Sequence, residues 1–536
     1  MTDQADVLVI GAGASGAAVA WALARAGRKV VILEQGDWID PSTYPQHRSD
    51  WERFRQTTFN RDPNVRKLPE DYPVDVTDSP IDPLMFNAVG GSTIHWTGHI
   101  PRFRPSDFRV KTLDGVADDW PLDYWELEPY YDANDAYIGV TGLNGDPSNP
   151  PRTPRTFVPP ALGATGEAYV RGLEKLGWHW WPSDAALITR PHGTGRLGCN
   201  GCGPCDIGCP IGAMSSAHVT YVPDAIRHGA TLITRARVRE LVLDDRGLVA
   251  GAAYYDREGH LQVQRARVTV LGANGIGTPR LLLNSKSARF PTGMANSSDQ
   301  VGRNFMFHPV AVVRGVFEEH LNSHQGPVGV LMHSQEFYET DPARGALRGY
   351  QFMLARDNSQ PVGASLGQGP GKRLPWGNGH HEAHRKEFSH GLTIVVMAED
   401  LPEAHNRVTL STTSTDAHGI PAAKLSYTLS QNSRALLDHG IARATELLEA
   451  SGAHTVTHDR LTRAAGWHLM GTTRMGTDPS NSVVNRWGRA HDVGNLFIVD
   501  GSIFVTSAPV NPTTTIQALA RRTADWLVEH FEEVAG

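Results

Sequence analysis

The chain has 536 residues, of which 40% are hydrophobic and 20% charged, and a formal net charge of −7 at neutral pH. Such a length exceeds what one hydrophobic core organises, so we expect two or more domains. The negative charge and the lack of basic runs argue against a nucleic-acid partner, and no run reaches the roughly 18 apolar residues of a membrane span.

The N-terminal sequence, MTDQADVLVIGAG, has no basic region ahead of its apolar segment. Secretory signal peptides carry such a region, so no Sec signal is expected in the chain itself. The sequence therefore predicts a cytoplasmic protein, or a periplasmic one if it is exported together with a signal-bearing partner subunit.

Residues 5–34 have the pattern of an apolar strand, a glycine turn, an Ala-rich helix and a second apolar strand. Gly11, Gly13 and Gly16 form G-x-G-x-x-G, and Glu34 ends the second strand. These glycines allow a tight turn and close approach of the backbone to a pyrophosphate, and the acid accepts hydrogen bonds from ribose hydroxyls. The unit predicts a dinucleotide site that suits FAD or NAD better than NADP.

Five later segments have recognisable elements. In NAVGGSTIHW, Gly90 and Gly91 again permit close backbone approach to a ligand. Apolar spacing of three and four residues after Trp120 predicts a helix with Pro121 near its start. Residues 219–244 predict a helix and then strands, and residues 268–286 predict strand, glycine loop and helix. Near the C-terminus, residues 494–532 predict a strand, a loop and a helix from Thr513.

All four cysteines lie in the Cys-rich segment, residues 199–210: Cys199, Cys202, Cys205 and Cys209. They are too close together for two comfortable disulfides. The spacing C-x2-C-x2-C-x3-C-P is the one that bacterial ferredoxins use to hold an iron–sulfur cluster. Two alternatives stay open: a tetrahedral zinc site, although its ligand pairs are usually further apart, and a redox-sensing thiol cluster.

Residues 355–392 are rich in Gly, Pro and His, which predicts a lid or an exposed loop. This segment holds His380, His381, His384 and His390. With few acidic neighbours, these histidines are interpreted as solvated side chains of the loop and not as a metal site.

Four widely spaced motifs together resemble the glucose–methanol–choline (GMC) oxidoreductases, FAD enzymes that oxidise alcohols. They are GAGASG with Glu34, GGSTIHW, GANGIGTPRLLLNS, and WHLMGTTRMG paired with NLFIVDGSIFVTSAPVNPTTTIQALA. The resemblance implies an α/β fold, with a Rossmann-like FAD-binding domain and an interleaved α+β substrate domain, as in GMC and p-hydroxybenzoate-hydroxylase-like proteins. It implies an FAD-binding domain of residues 1–110, 215–310 and 455–536, and a substrate domain of residues 111–214 and 311–454.

The resemblance also implies roles for individual residues. His468, in WHLMG, matches the active-site histidine of the family and would be the general base, for which an imidazole is well suited. Asn511 matches a position that is His or Asn and would orient the substrate hydroxyl; a structural histidine and a helix-capping asparagine are the alternatives. Cofactor contacts are implied at Val238, Asp500, Gly501, Pro512 and Thr513.

His95 matches the residue that carries FAD covalently in some pyranose-oxidising relatives, while other relatives with the same residue bind FAD without a bond. One motif departs from the family, because GANGIGTPRLLLNS ends in Asn284, Ser285 and Lys286 where many members have Ser–Gly. That difference weakens the match of this motif to the family and leaves the match of the other three motifs unchanged.

A His/Asn pair resembles the branch of pyranose oxidases, gluconate dehydrogenase flavoprotein subunits and glucoside 3-dehydrogenases. The expected function is thus an FAD-dependent dehydrogenase that oxidises a sugar or glycoside, at C3 or C2 to a ketone or at C1 to a lactone. The alternatives are an oxygen-using oxidase of the same fold and a non-catalytic flavin and iron–sulfur electron-transfer subunit.

Some dehydrogenases of this branch carry a three-iron cluster near the flavin and pass electrons to a cytochrome subunit. Their cysteine run ends in C-x3-C-P-I-G-A-M, which matches residues 205–214. The resemblance implies an iron–sulfur cluster, a cytochrome c acceptor and a small chaperone-like subunit. A 3Fe-4S cluster on Cys199, Cys205 and Cys209 is slightly favoured over a 4Fe-4S cluster that also uses Cys202.

Overall fold

The computed structural model describes residues 4–327, 329–357, 361–366 and 373–536. Its strands are β1 (Ala5–Ile10), β2 (Val30–Leu33), β3 (Val74–Asp78), β4 (Trp181–Pro182), β5 (Thr231–Ile233), β6 (Arg237–Leu243), β7 (Val249–Tyr255), β8 (Leu261–Leu271), β9 (Val310–Val316), β10 (Val330–Ser334), β11 (Tyr350–Arg356), β12 (Gly391–Ala398), β13 (Arg407–Thr415), β14 (Pro421–Ser426), β15 (Thr455–Asp459) and β16 (Leu496–Ile498).

The helices are α1 (Ala14–Arg25), α2 (Trp51–Arg55), α3 (Pro63–Arg66), α4 (Val110–Asp114), α5 (Tyr124–Ile138), α6 (Gly163–Leu176), α7 (Tyr221–Arg227), α8 (Asn274–Asn284), α9 (Pro361–Leu366), α10 (His380–Glu387), α11 (Gln431–Ser451), α12 (Thr513–Glu529) and α13 (Phe531–Ala535). Within the described residues, none of them combines the length and apolarity needed to cross a bilayer.

The first sheet has the order β5-β2-β1-β8-β7-β6, and β16 also pairs with β8. Pairing is parallel from β5 to β8 and for β16, and antiparallel among β6, β7 and β8. Strands β1 and β2 are almost wholly buried runs, as expected of central parallel strands that are covered on both faces. The predicted strand, turn, helix and strand at the N-terminus correspond to β1, α1 and β2. This is the predicted α/β architecture with a Rossmann-like unit.

The second sheet has the order β15-β9-β12-β11-β10-β4 and is antiparallel throughout. Helix α11 packs on one face of it, together with α6. Buried leucines recur along α11 at helical spacing, which gives this helix one apolar side for the sheet. A third sheet, with the order β13-β14-β3, joins residues 74–78 to residues 407–426.

The structure refines several predictions. Helix α5 begins at Tyr124, three residues after Pro121, and Asp123 caps it by accepting from the backbone N–H of Glu126 at 3.0 Å. Segment 355–392 is not one loop: it includes the end of β11, helices α9 and α10 and the start of β12, and residues 358–360 and 367–372 lie outside the described residues.

The predicted domain division stays a prediction, and two contacts cross it. Strand β15 pairs with β9 of the second sheet, although the division assigns residues from 455 onwards to the FAD-binding domain. Helix α5, assigned to the substrate domain, packs against α12 of the FAD-binding part. Such contacts follow from interleaving, since each part is built from segments that are far apart in the chain.

Candidate active site

A cavity of about 390 Å³ lies where the carboxyl ends of β1 and β2 meet residues from the second sheet and the C-terminal segment. Open α/β sheets bind ligands at this edge. The structure brings together around the cavity most residues that the sequence predicted for the cofactor and for catalysis: Gly11, Gly13, Glu34, Gly91, His95, Val238, His468, Asp500, Gly501, Asn511, Pro512 and Thr513.

Gly16 and Gly90 do not line the cavity but shape its wall. A Cβ on Gly16 would lie 1.9 Å from the carbonyl oxygen of Gly11, so only glycine lets α1 pack this closely on the turn. Gly90 has a φ of 99°, and a Cβ there would lie 3.0 Å from the Cβ of His218. Both glycines therefore support the backbone that borders the cavity.

Gly13 itself leaves space for a ligand. A Cβ on Gly13 would meet no atom within 4 Å, although the residue lines the cavity at the N-terminus of α1. The N-terminal residues of α8 and α12 line the same cavity. Helix N-termini favour an anionic group. At α8 the backbone N–H of Asn274 already donates to Asp500, so the N-termini of α1 and α12 are the ones that fit the pyrophosphate and flavin of FAD.

Two buried carboxylates, those of Glu34 and Asp500, line the cavity and accept hydrogen bonds from its wall. Glu34 accepts from the backbone N–H of Ala12 at 2.8 Å and of Gly36 at 2.9 Å. Asp500 accepts from the backbone N–H of Ser502 at 2.9 Å and from the hydroxyl of Thr278 at 2.5 Å. Burial raises the pKa of both groups, against the lowering effect of these hydrogen bonds.

His95 is buried, lines the cavity and packs against the ring of Phe86 with 4.1 Å between ring centroids. Neither of its ring nitrogens has a hydrogen-bond partner among the described residues. Burial holds its pKa well below the ordinary value, with Arg61 and Arg66 adding to the effect. An uncharged ring with free nitrogens is thus available to contact a cofactor.

His468 and Asn511 face each other at the cavity, with 3.4 Å between Nε2 of His468 and Nδ2 of Asn511. On the other side of its ring, Nδ1 of His468 lies 2.7 Å from Nδ1 of His308. Nε2 of His308 lies 2.5 Å from the carbonyl oxygen of Ala508 and 3.2 Å from that of Ser507. The three side chains and the two carbonyls form one hydrogen-bonded chain.

That chain determines where the protons are. A carbonyl oxygen only accepts, so Nε2 of His308 carries a proton and its Nδ1 is bare in the neutral ring. Nδ1 of His468 must then donate to His308, which leaves Nε2 of His468 bare and facing Asn511 and the cavity. Burial is the first cause that lowers the pKa of His468 well below its ordinary value, followed by His308 and His99. The arrangement therefore presents an unprotonated imidazole nitrogen, as a general base requires.

The Cys-rich segment lies beside this cavity without forming a metal site. Cys199, Cys205 and Cys209 are partly buried against one small hydrophobic cluster, and Cys202 is exposed. Among the described residues, no group of three or more His, Cys, Asp or Glu side chains is arranged to hold a metal ion. The predicted cluster thus has no geometric support. Asp206, between Cys205 and Cys209, does line the cavity and pairs with Arg55 at 2.5 Å.

Of the four histidines in segment 355–392, only His381 is exposed and the other three are partly buried. Among the described residues, none of them belongs to a group arranged to hold a metal ion. His380, His381 and His384 lie on the short helix α10, and His390 follows it, with Nδ1 3.1 Å from the carbonyl oxygen of Phe317.

Sequence reasoning missed His308. It lies in NFMFHPV, directly before β9, and nothing local distinguishes it from the other histidines, which number 24 in all. Its partners are 160 and about 200 positions away in the chain, so only the folded chain identifies it.

Comparison with known proteins gives consistent matches over the whole chain. Residues 156–310 and 402–520 match family models described as GMC oxidoreductase, and residues 6–44 match one described as FAD dependent oxidoreductase. A 2-methyl-1,2-propanediol dehydrogenase of Mycolicibacterium austroafricanum is 43% identical over 99% of this chain and 96% of its own length. The fructose dehydrogenase large subunit of Gluconobacter japonicus is 31% identical over 99% of both chains.

Two further proteins extend the comparison. Paromamine 6'-oxidase of Streptomyces fradiae is 30% identical over 97% of this chain and 90% of its own length. The crystal structure of pyridoxine 4-oxidase from Mesorbium loti superposes with a TM-score of 0.64, covering 98% of this chain and 100% of that one, at 16% identity. At that identity the likeness is one of fold.

Proposed function

Since the chain belongs to the GMC oxidoreductase family, an FAD-dependent family that acts on CH–OH groups, we propose that it is a dehydrogenase that oxidises a hydroxyl of a diol or a sugar. The observation that carries the proposal is the pair of His468 and Asn511 at the cavity, with the free Nε2 of His468 directed by His308. Names of relatives support the substrate class, because they include a diol dehydrogenase and a fructose dehydrogenase.

The cofactor, His468 and Asn511 have separate roles in the reaction. FAD, when bound, supplies the acceptor for the hydride that leaves the alcohol carbon. Nε2 of His468 takes the hydroxyl proton, and Nδ1 keeps its own proton on the side of His308. The amide of Asn511 holds the substrate oxygen beside Nε2. His468 is partly buried at the cavity, which limits the access of water to its Nε2.

Replacing His468→Ala tests the proposal. We expect flavin reduction by alcohol to slow by about 100-fold to 10,000-fold, because general-base catalysis contributes on that order. Flavin content should be unchanged. Stopped-flow reduction with a panel of diols and sugars measures the rate, and the flavin absorbance of the purified variant is the control. Equal rates in the variant and the wild type would contradict the role of His468 as the base. A wild-type flavin that no alcohol of the panel reduces would favour a non-catalytic electron-transfer subunit.

The route by which electrons leave is a separate part of the proposal. An iron–sulfur cluster on Cys199, Cys205 and Cys209 that serves a cytochrome acceptor remains a prediction from the spacing of the cysteines. The position of the segment would suit such a route, because Asp206, between Cys205 and Cys209, lines the active-site cavity. Iron and acid-labile sulfide in anaerobically purified protein should then be present, and Cys205→Ala should remove them while Cys202→Ala retains them.

An oxygen-using oxidase is the second candidate, favoured by the match to paromamine 6'-oxidase. Hydrogen peroxide formed in step with alcohol oxidation would support the oxidase. Turnover that requires a quinone, a dye or a cytochrome would support the dehydrogenase.

A further inference from the structure

Asn511 lies between the base and a buried glutamine. Its Nδ2 is 3.4 Å from Nε2 of His468, and its Oδ1 is 3.3 Å from Nε2 of Gln351 on β11. An asparagine amide has a donor end and an acceptor end of almost the same size. Hydrogen bonds, and not shape, therefore decide which end of Asn511 faces the substrate.

The carbonyl oxygens behind His308 determine the direction of each hydrogen bond that leads to Asn511. Because a carbonyl oxygen only accepts, His308 donates to the carbonyl of Ala508, and His468 donates to Nδ1 of His308. Nε2 of His468 is then an acceptor, so a donor must face it. The amide nitrogen of Asn511 is that donor, which turns the amide oxygen towards Gln351.

Gln351 holds this orientation from the other side. Its Nε2 donates to Oδ1 of Asn511, which leaves its own Oε1 as an acceptor. Nδ1 of His99 lies 2.5 Å from the hydroxyl of Ser183, so Nε2 of His99 is the nitrogen that remains for Gln351.

The pKa of His99 gives the direction of its hydrogen bond with Gln351. Burial lowers this pKa to about 3, with His333 as the second cause, so the ring is neutral. The hydrogen bond with Gln351 acts in the opposite direction and raises the pKa, as does a bond that an imidazole ring donates. His99 therefore donates to the amide oxygen of Gln351.

The amide of Gln351 is fixed in this orientation by its two neighbours. A reversed amide would place its nitrogen against the donating ring of His99 and its oxygen against the oxygen of Asn511. Gln351 is fully buried and His99 is 3% exposed, so water does not replace the lost partners. The backbone of Gln351 is also held, because it pairs with Met397 across β11 and β12.

We propose that Gln351 is a positioning residue that turns the N–H of Asn511 towards the substrate oxygen. It does not line the cavity and acts only through Asn511. A substrate hydroxyl placed between Asn511 and His468 gives its proton to Nε2 of His468 while its oxygen accepts from the amide. Negative charge develops on this oxygen as the proton moves, and an N–H stabilises that charge where a C=O would repel it. The inference rests on the proposed alcohol oxidation.

Gln351→Met removes the donor and keeps a side chain of similar length, so either end of the Asn511 amide can face the substrate. The limiting rate of flavin reduction should fall roughly 10-fold, which is less than the loss of about 100-fold to 1,000-fold on deleting a transition-state donor outright. The half-saturating concentration of alcohol should change little, because the interaction strengthens only in the transition state. The substrate is propylene glycol, or the diol or sugar of the panel that reduces the wild-type flavin fastest.

Gln351→Glu separates positioning from packing, because the new side chain has the shape of glutamine and differs in its protons. The introduced carboxyl group donates to Asn511 when protonated. When ionised it only accepts, takes the N–H of Asn511 and turns the amide oxygen towards the substrate.

The limiting rate of Gln351→Glu should therefore depend on pH. Burial raises the pKa of a carboxyl group, and the titratable groups around this one are His99, which interacts with His333 and Asp184, and His468. The variant should be most active at low pH and lose rate as the pH rises between about 5 and 8. The wild-type rate should stay level over the same range.

Tyr350→Phe is the matched control. Tyr350 precedes Gln351 on β11, points to the opposite face and has its hydroxyl 2.9 Å from Nδ1 of His439. The substitution removes one buried hydrogen bond from the same strand without reaching Asn511, so the limiting rate should equal that of the wild type. Flavin content is measured for each variant.

A limiting rate in Gln351→Met equal to that of the wild type overturns the inference. Equal losses in Gln351→Met and Gln351→Glu at every pH also overturn it and give Gln351 a packing role. If Gln351→Met does not fold, the pH profile of Gln351→Glu decides. A wild-type flavin that no alcohol of the panel reduces overturns the proposed function and the inference with it, whereas a loss in His468→Ala with unchanged Gln351 variants overturns the inference alone.

Discussion

The reactive atom of the site is determined by a neighbour that does not touch the substrate. His308 holds Nδ1 of His468 in the protonated form, because its own Nε2 is committed to the carbonyl oxygens of Ser507 and Ala508. Burial lowers the pKa of His308 to about 4, so it stays a neutral acceptor. His308 is therefore a positioning residue for the base.

The pH dependence of flavin reduction follows from these pKa directions. A base works when it is unprotonated, and the pKa of His468 lies well below its ordinary value because of burial, His308 and His99. The rate in a single turnover should therefore stay level as the pH falls from about 8 past about 6.5, the ordinary pKa of histidine. Stopped-flow rates across this range measure it; a rate that is half-maximal near 6.5 would contradict the prediction.

Replacing His308→Phe removes the acceptor for Nδ1 of His468. The proton can then move to Nε2, and kcat should fall on the order of 10-fold to 100-fold with little change in KM. His308→Gln should restore part of the rate, because its amide can accept from His468 and donate to the carbonyl of Ala508. If Phe and Gln lower kcat equally, the role of His308 is structural.

At the scale of elements, the three glycines of the turn between β1 and α1 have three different roles. Gly11 has a φ of 100°, and a Cβ there would lie 2.6 Å from the carbonyl oxygen of Gly272. Gly16 lets the helix approach the strand, whereas Gly13 opens on the cavity. One short motif thus contributes a turn, a packing contact and a ligand surface.

Alanine at Gly13 and at Gly16 should have different effects. Gly13→Ala places a methyl group where no protein atom lies within 4 Å, so it should weaken FAD binding and leave the thermal stability of the apoprotein near the wild-type value. Gly16→Ala should lower both. The ratio of flavin to protein absorbance measures FAD binding, and thermal unfolding of the apoprotein measures stability. A Gly13→Ala protein with the full wild-type content of flavin would contradict the expected loss of FAD binding.

At the scale of the whole molecule, the first sheet is assembled from three distant parts of the chain. Strand β8 pairs with β1 from the N-terminus and with β16 from near the C-terminus. Helix α12 packs on α1, and the cavity takes residues from the same C-terminal segment, Asn511 to Thr513. Neither half of the chain contains a complete site.

A fragment of residues 1–310 should therefore fail to hold flavin, although it contains the glycine motif and Glu34. It lacks β16 and α12, so β8 loses a parallel neighbour and α1 loses its packing partner. Flavin absorbance after gel filtration and cooperative thermal unfolding measure this, with the full chain as the control. A fragment that retains flavin and unfolds cooperatively would show that the N-terminal part folds by itself.

The sequence by itself determined those features that depend on neighbouring residues. Gly11, Gly13 and Gly16 predict their turn because a few consecutive φ/ψ values and one helix N-terminus decide it, and the motifs around His468 and Asn511 indicate the family. The prediction of a lid or an exposed loop over 355–392 did not include the helices α9 and α10, because composition alone does not register short helices. The spacing of the cysteines predicted a cluster that no described group of ligands supports.

Only the tertiary structure decided which histidine acts on His468. His308 has no local pattern, because its partners are 160 and 200 residues away along the chain. The protonation of each ring follows from the carbonyl or amide at its far side, and such a network exists only once distant segments are packed together. The sequence gives the type of each residue, whereas the fold determines which atom of that residue faces the substrate.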